Sequence, residues 1–152
     1  METIQREHAL RPGISTDRER VWQIKRRCLR GYVEQTWGDW DDDIQRGQFD
    51  TDFDPGEIHL ISVRGDDVGY ISARNEPQEI LLLNLMVLPE FQNRGIGTAV
   101  LNQLQTVART LYVPIRLRVM KVNPARQLYE RMGFTVYAET ATHFRMVWKP
   151  SV

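Results

Sequence analysis

The chain has 152 residues, one cysteine and a net charge of zero, with 20 basic side chains against 20 acidic ones. That length suits a single domain over 1–152 with a substantial core, and the charge balance argues against a general nucleic-acid binder. The lone Cys28 excludes an internal disulfide and fits a reducing, cytoplasmic setting. No apolar run approaches the roughly 20 residues of a membrane span, and the charged start Met1-Glu2-Thr3-Ile4-Gln5-Arg6-Glu7 has no signal-peptide core.

In chain order, Ala9 to Pro12 reads as the end of a short strand. Thr16 with Glu19 three residues on is a capping-box signature. The helix it would open places Val21, Ile24, Cys28 and Tyr32 on one face. Cys28 on that stripe reads as a small core residue rather than a nucleophile, having no evident His partner. Lys25, Arg26, Arg27 and Arg30 read as the solvated face. Tyr32, Trp37 and Trp40 gather around Gly38, and aspartates follow at 39, 41, 42, 43, 50, 52 and 54. This segment either lines a pocket or is a surface stretch whose aromatics pack on the core. A short helix over Asp41 to Arg46 with an Asp N-cap is expected within it.

Ile58–Val63 and Val68–Ala73 read as strands joined by the turn Arg64-Gly65-Asp66-Asp67. A turn near Asn75-Glu76-Pro77 leads to Ile80–Leu88, apolar on both faces as a covered central strand should be. A helix follows to about Leu111, with Val100, Leu101, Leu104, Val107, Ala108 and Leu111 expected inside. Pro114–Met120 is the next strand, parallel to 80–88 through a right-handed crossover. Arg116, Arg118 and Met120 share one of its faces. Asn123 reads as the N-cap of another helix with Pro124 at its first position. That helix carries Leu128, Tyr129 and Met132 and ends at Gly133. Phe134–Ala138 and His143–Trp148 form a closing antiparallel pair. His8, His59 and His143 have no ligand spacing, so no metal is expected.

Between the strand at 80–88 and its helix stands Gln92-Asn93-Arg94-Gly95-Ile96-Gly97-Thr98. Early helical N–H groups have no intrahelical acceptor and, with the helix dipole, attract an anion. Arg94 adds charge, and Gly95 and Gly97 let a phosphate approach the backbone. A simple strand-to-helix turn is the plainer alternative. A Walker loop is excluded because Thr98-Ala99 follow Gly97 in place of Lys-Ser/Thr. The dinucleotide fingerprint fails at Val100, and Arg116, Arg118 and Lys121 stand where its acid belongs.

Leu85-Met86-Val87-Leu88-Pro89 with Gln92-Asn93-Arg94-Gly95-Ile96-Gly97 resembles the acyl-CoA signature Q/R-x-x-G-x-G/A of the Gcn5-related N-acetyltransferase (GNAT) superfamily. Asn123-Pro124-Ala125, Leu128-Tyr129-Glu130 and Gly133-Phe134 match its second half. The resemblance implies an α+β fold, the GNAT fold: a mixed central β-sheet with splayed parallel central strands, flanked by helices. It implies acetyl-CoA as acyl donor, with the pyrophosphate on the backbone from Arg94 to Thr98 and the pantetheine arm along Met86 and Val87. A backbone N–H near Leu85 or Met86 would polarise the thioester carbonyl. The implied donor site comprises Leu85, Met86, Val87, Gln92 to Thr98, Asn123, Ala125 and Tyr129. Tyr129 would also be the acid that protonates the departing thiolate.

The N-terminal third matches in pattern only, and there such enzymes bind acceptors, which suggests Tyr32 and Trp37 together with Arg118. The sequence departs from many relatives in lacking a Glu at the strand positions Leu81 and Leu83, with Glu79 only near the strand start. Asn84, Glu34, Asp50, His59 or an ordered water chain remain as routes for the acceptor's proton. Arg118 stands where some peptide-acetylating relatives carry a Glu. It either grips a substrate carboxylate while the acidic stretch 39–54 faces the amine, or pairs with Glu130 or Glu139. The reading is an N-acetyltransferase for a primary amine of a small molecule, acting by direct attack in a ternary complex. The alternatives are a non-catalytic acyl-CoA sensor and a protein or peptide N-acetyltransferase. No nucleic acid, membrane or metal is implied, and a homodimer is compatible.

Overall fold

A computed structural model describes residues 8–151. Seven strands form one sheet in the order β1-β2-β3-β4-β5-β7-β6. They are β1 (His8–Pro12), β2 (Ile58–Val63), β3 (Asp66–Glu76), β4 (Glu79–Val87), β5 (Ile115–Met120), β6 (Thr135–Glu139) and β7 (His143–Trp148). The helices are α1 (Arg18–Trp37), α2 (Asp42–Asp52), α3 (Ile96–Leu111) and α4 (Ala125–Arg131). Only β4 and β5 pair in parallel, α3 being the crossover that parallel pairing requires. This is the α+β architecture expected.

One face of the sheet packs Val100, Leu101 and Ala108 of α3 and Tyr129 of α4 against Ile80, Leu82, Ile115 and Leu117. The other packs Val21, Trp22 and Ile24 of α1 and Phe49 of α2 against Leu60, Tyr70 and Met86. Each Val, Leu, Ile, Phe or Met among them contributes about 1.5–3 kcal/mol when fully buried.

The parallel pair is short. Ile80, Leu81 and Leu82 are registered with Ile115, Arg116 and Leu117, and pairing then stops. On its other edge β4 has a bulge at the same level: Ala73 opposes Leu82 and Ser72 opposes Asn84, so Leu83 has no partner. A bulge bends its strand, and the bend falls where β4 leaves β5. The gap beyond Leu82 is therefore written into the β3–β4 register.

Several local expectations are corrected. The Thr16–Glu19 capping box does not form. Asp17 precedes α1 instead, its carboxylate accepting from the Ile14 N–H at 2.9 Å and from Arg11 at 2.9 and 3.0 Å, while Glu19 pairs with Arg46. Helix α2 is longer than expected, and Asp41 is its cap, accepting from Ile44 N–H at 3.1 Å. Val107 and Leu111 are half exposed; Gln105 is buried in their stead and donates to the Met132 carbonyl at 2.8 Å. The β4 strand is not covered on both faces, since Leu83 is exposed. The acidic stretch builds α2 and its ion pairs, and its aromatics Trp40, Phe49 and Phe53 pack towards Trp22.

Candidate active site

Asn93 (φ 63°) and Gly95 (φ 80°) both adopt the left-handed conformation ahead of α3, which Gly visits freely and Asn tolerates. Successive left- and right-handed residues turn their N–H groups into an anion-binding concavity. Six consecutive N–H groups, Asn93 to Thr98, donate to no backbone carbonyl among the described residues; the first helical bond is Ala99 N–H to Gly95 O. At Gly97 an added Cβ would come within 3.2 Å of Leu128 Cδ2, so the missing side chain keeps α3 and α4 close.

These N–H groups open on a cleft of about 460 Å³ between α1, the end of β4, α3 and α4. Among the described residues no acidic side chain borders it, and Arg131 is its charged lining residue. Along β4, Leu88 N–H donates to Val68 O on β3. Strand alternation therefore aims the polar backbone groups of Met86 at β3 and those of Leu85 and Val87 at the gap. The Val87 carbonyl is already taken by Gln92 Nε2 at 2.8 Å and Cys28 Sγ at 3.4 Å. Cys28 is half buried, and burial pushes its thiol up to about 11, so it remains protonated.

A second cleft of about 550 Å³ lies on the α1 side of the sheet, over β4, β5 and β7. The two clefts share Leu29, Leu85, Met86, Asn123 and Tyr129. Tyr129 is 6% exposed, packs its ring on Phe134 and leaves its hydroxyl without a hydrogen-bond partner among the described residues. Burial pushes the phenol up to about 12, which keeps it a proton donor. Asn123 Oδ1 accepts from Ala125 N–H at 2.9 Å, but α4 begins at Ala125 with Pro124 as its N-cap, one residue later than expected.

Of the residues expected to hold the donor, all but Arg94 line the first cleft. Arg94 turns over the Phe91 ring, 5.0 Å from its centroid, and borders an adjoining hollow. Tyr32 lines the donor cleft and not the second one, and Trp37 lines neither, being 58% exposed beside His143. Arg118 lines the second cleft. Its two expected partners are engaged elsewhere, Glu130 with Arg126 and Glu139 with Lys121. Among the candidate proton acceptors only Asn84 borders this cleft; Glu34 is paired with Arg30 and Asp50 with Arg18 and Arg46.

Sequence reasoning missed His143, Arg145 and Lys25, which also line the second cleft. His143 and Arg145 lie two apart on β7 and so share a face, a period-two signal present in the sequence. The His143 ring is 2.8 Å from the Thr142 hydroxyl. Burial, and then the charge of Arg118, hold it below the usual histidine range. Lys25, expected on the solvated face, is likewise lowered by burial, opposed by the charge of Asp52.

A splayed parallel pair, free N–H groups at a crossover helix and a buried phenol where two clefts meet define a site for an acyl carrier with an anionic end. The family model for an acetyltransferase (GNAT) domain matches residues 54–136, and the chain belongs to that family. It is an acetyltransferase of the GNAT family. The PaiA N-acetyltransferase of Thermoplasma acidophilum, solved with coenzyme A, is 16% identical, with TM-score 0.78 over 93% of this chain and 98% of that one. The ribosomal-protein-S18-alanine N-acetyltransferase of Escherichia coli is 20% identical, with TM-score 0.71 over 95% of both. Arabidopsis thaliana Naa50, solved with the bisubstrate analogue CoA-Ac-MVNAL, is 17% identical, with TM-score 0.64 over 94% of this chain and 99% of that one. At these identities the likeness is one of fold. No curated protein matches the sequence. Among the described residues no helix is long and apolar enough to cross a membrane, and no group of His, Cys, Asp and Glu could hold a metal.

Proposed function

We propose that the chain, acting as one domain, moves the acetyl group of acetyl-CoA to a primary amine of a small molecule by direct attack in a ternary complex. The observation that carries this reading is the meeting of the two clefts at Tyr129. One is built for an anionic donor, and the other is about 550 Å³, within the ~300–1,000 Å³ usual for small-molecule sites.

When bound, acetyl-CoA supplies an activated thioester. The N–H groups from Asn93 to Thr98 bind its pyrophosphate, with the positive end of α3 behind them. The backbone groups of Leu85 and the N–H of Val87, which face the gap, extend hydrogen bonding along the arm. The Leu85 N–H is the donor for negative charge on the thioester oxygen. His143 is the side chain we assign to the acceptor's proton, because it borders the second cleft and is neutral near pH 7. The amine nitrogen bonds to the acetyl carbon as the carbon–sulfur bond breaks. The amine's proton goes to His143, and the leaving sulfur takes one from the Tyr129 hydroxyl.

Thiol release from acetyl-CoA, measured with a panel of small amines and of short peptides with free N-termini, tests the reading. Turnover with small amines is expected. Turnover with peptides alone would make it a peptide acetyltransferase, and acetyl-CoA binding without any thiol release would make it a sensor.

A further inference from the structure

Arg118 and Arg145 are registered directly opposite one another on β5 and β7. Like charges in that position repel. Arg118 and Arg145 are exposed, and neither forms an ion pair among the described residues. The β5–β7 neighbours above and below do not relieve the repulsion: Met120 opposes His143, and Arg116 opposes Val147. Among the described residues the cleft over this face has a single lining carboxylate, Glu79, and it is held by Arg116 at 2.9 Å. The charge of Arg118 is felt at His143, whose protonation it disfavours. Two arginines on directly opposed strand positions thus stand without an ion-pair partner among the described residues at the wall of the cleft that reaches Tyr129.

We propose that Arg118 and Arg145 form an anion clamp for the acceptor, so that the amine acetylated by this protein also carries a carboxylate or phosphonate-like group. The inference rests on the reading of this cleft as the acceptor site. Guanidinium forks match such anions with paired, charge-assisted hydrogen bonds. An anion between the two side chains removes their mutual repulsion, and it holds the acceptor on the face that His143 shares with Arg145. The acidic stretch 39–54 plays no part, since none of its carboxylates lines the cleft. The amine is held by its anionic end and by proximity to His143 and Tyr129, not by a carboxylate partner.

The test compares matched acceptors in the thiol-release assay with the 152-residue chain: an α-amino acid against its decarboxylated amine, and an aminoalkylphosphonate against the plain alkylamine. The anionic member is expected to have the higher kcat/KM by about tenfold or more, one well-made charged contact being of that order. Arg118→Gln and Arg145→Gln should each raise KM for the anionic acceptor and leave KM for acetyl-CoA unchanged. Equal or better turnover of the uncharged member, or a preference that survives the double substitution, overturns the clamp. Binding is read separately by titrating methylphosphonate into ¹⁵N-labelled protein and following the arginine Nε–H resonances, assigned with the two variants. Both resonances should move, and their failure to move overturns the clamp irrespective of turnover. Movement of both with no thiol release from any acceptor upholds the clamp and overturns the acetyl-transfer reading.

Discussion

Tyr129 and His143 face a common space from α4 and β7, and burial acts on both in the direction that their proposed roles need. A phenol pushed up to about 12 stays protonated across the physiological range and can always donate. Tyr129→Phe keeps the ring packing on Phe134 and removes the donor. It is expected to lower kcat by ~10²–10⁴-fold, the usual worth of general acid help, with acetyl-CoA affinity in calorimetry unchanged. An unaltered kcat would remove Tyr129 from the chemistry. His143 is held below the ordinary ~6.5 by burial and by Arg118, with Arg145 also on its strand face. It therefore loses its proton at lower pH in the folded chain than in the unfolded one. Its contribution to stability is fully present above the unfolded value and is lost as pH falls through the folded one. Activity should show an acid limb below the usual histidine range. His143→Gln should remove that limb and flatten the fall in Tm between neutral and mildly acidic pH. A limb that persists in the variant would assign the proton to another group.

At the scale of elements, the donor cleft depends on the turn from β4 into α3. Gly97→Asp adds a side chain whose first atom already crowds Leu128 and brings a negative charge to the N–H groups proposed to hold the pyrophosphate. Calorimetry should show acetyl-CoA binding abolished while circular dichroism shows the fold retained. Binding equal to that of the unsubstituted chain would contradict the site. This turn was legible in the sequence because every residue it needs is local: two glycines, an asparagine that tolerates positive φ and a helix start. The start of α4 was legible to within one residue for the same reason, Asn123 accepting from the N–H two residues on. The acceptor side was not, because Arg118, His143 and Arg145 become neighbours only through the β5–β7 register. The bulge was hidden too, since Leu81-Leu82-Leu83 is uniformly apolar and has no alternation to betray a change of phase. The capping box at Thr16 was locally plausible and lost to a longer-range partner, Asp17 being drawn to Arg11.

For the whole molecule, a single sheet serves as both scaffold and site. The β5–β7 pair keeps its register and the β3–β4 pair shifts at its bulge, while the seam opens past Leu82 and Leu117. The clefts proposed for donor and acceptor meet at this seam and share Tyr129. Acetyl-CoA bound at 100 times its Kd should stabilise the fold by about 2.7 kcal/mol, which for a chain of this size raises Tm by roughly 5–11 °C. A Tm unmoved by saturating acetyl-CoA would mean that the folded chain does not bind it. The most direct test of where it binds is amide hydrogen exchange with and without saturating acetyl-CoA. Asn93 to Thr98, which donate to no backbone carbonyl in the free protein, should become protected, together with Leu85 and Val87 at the open edge of β4. Exchange at these amides that is unchanged by acetyl-CoA would contradict the account.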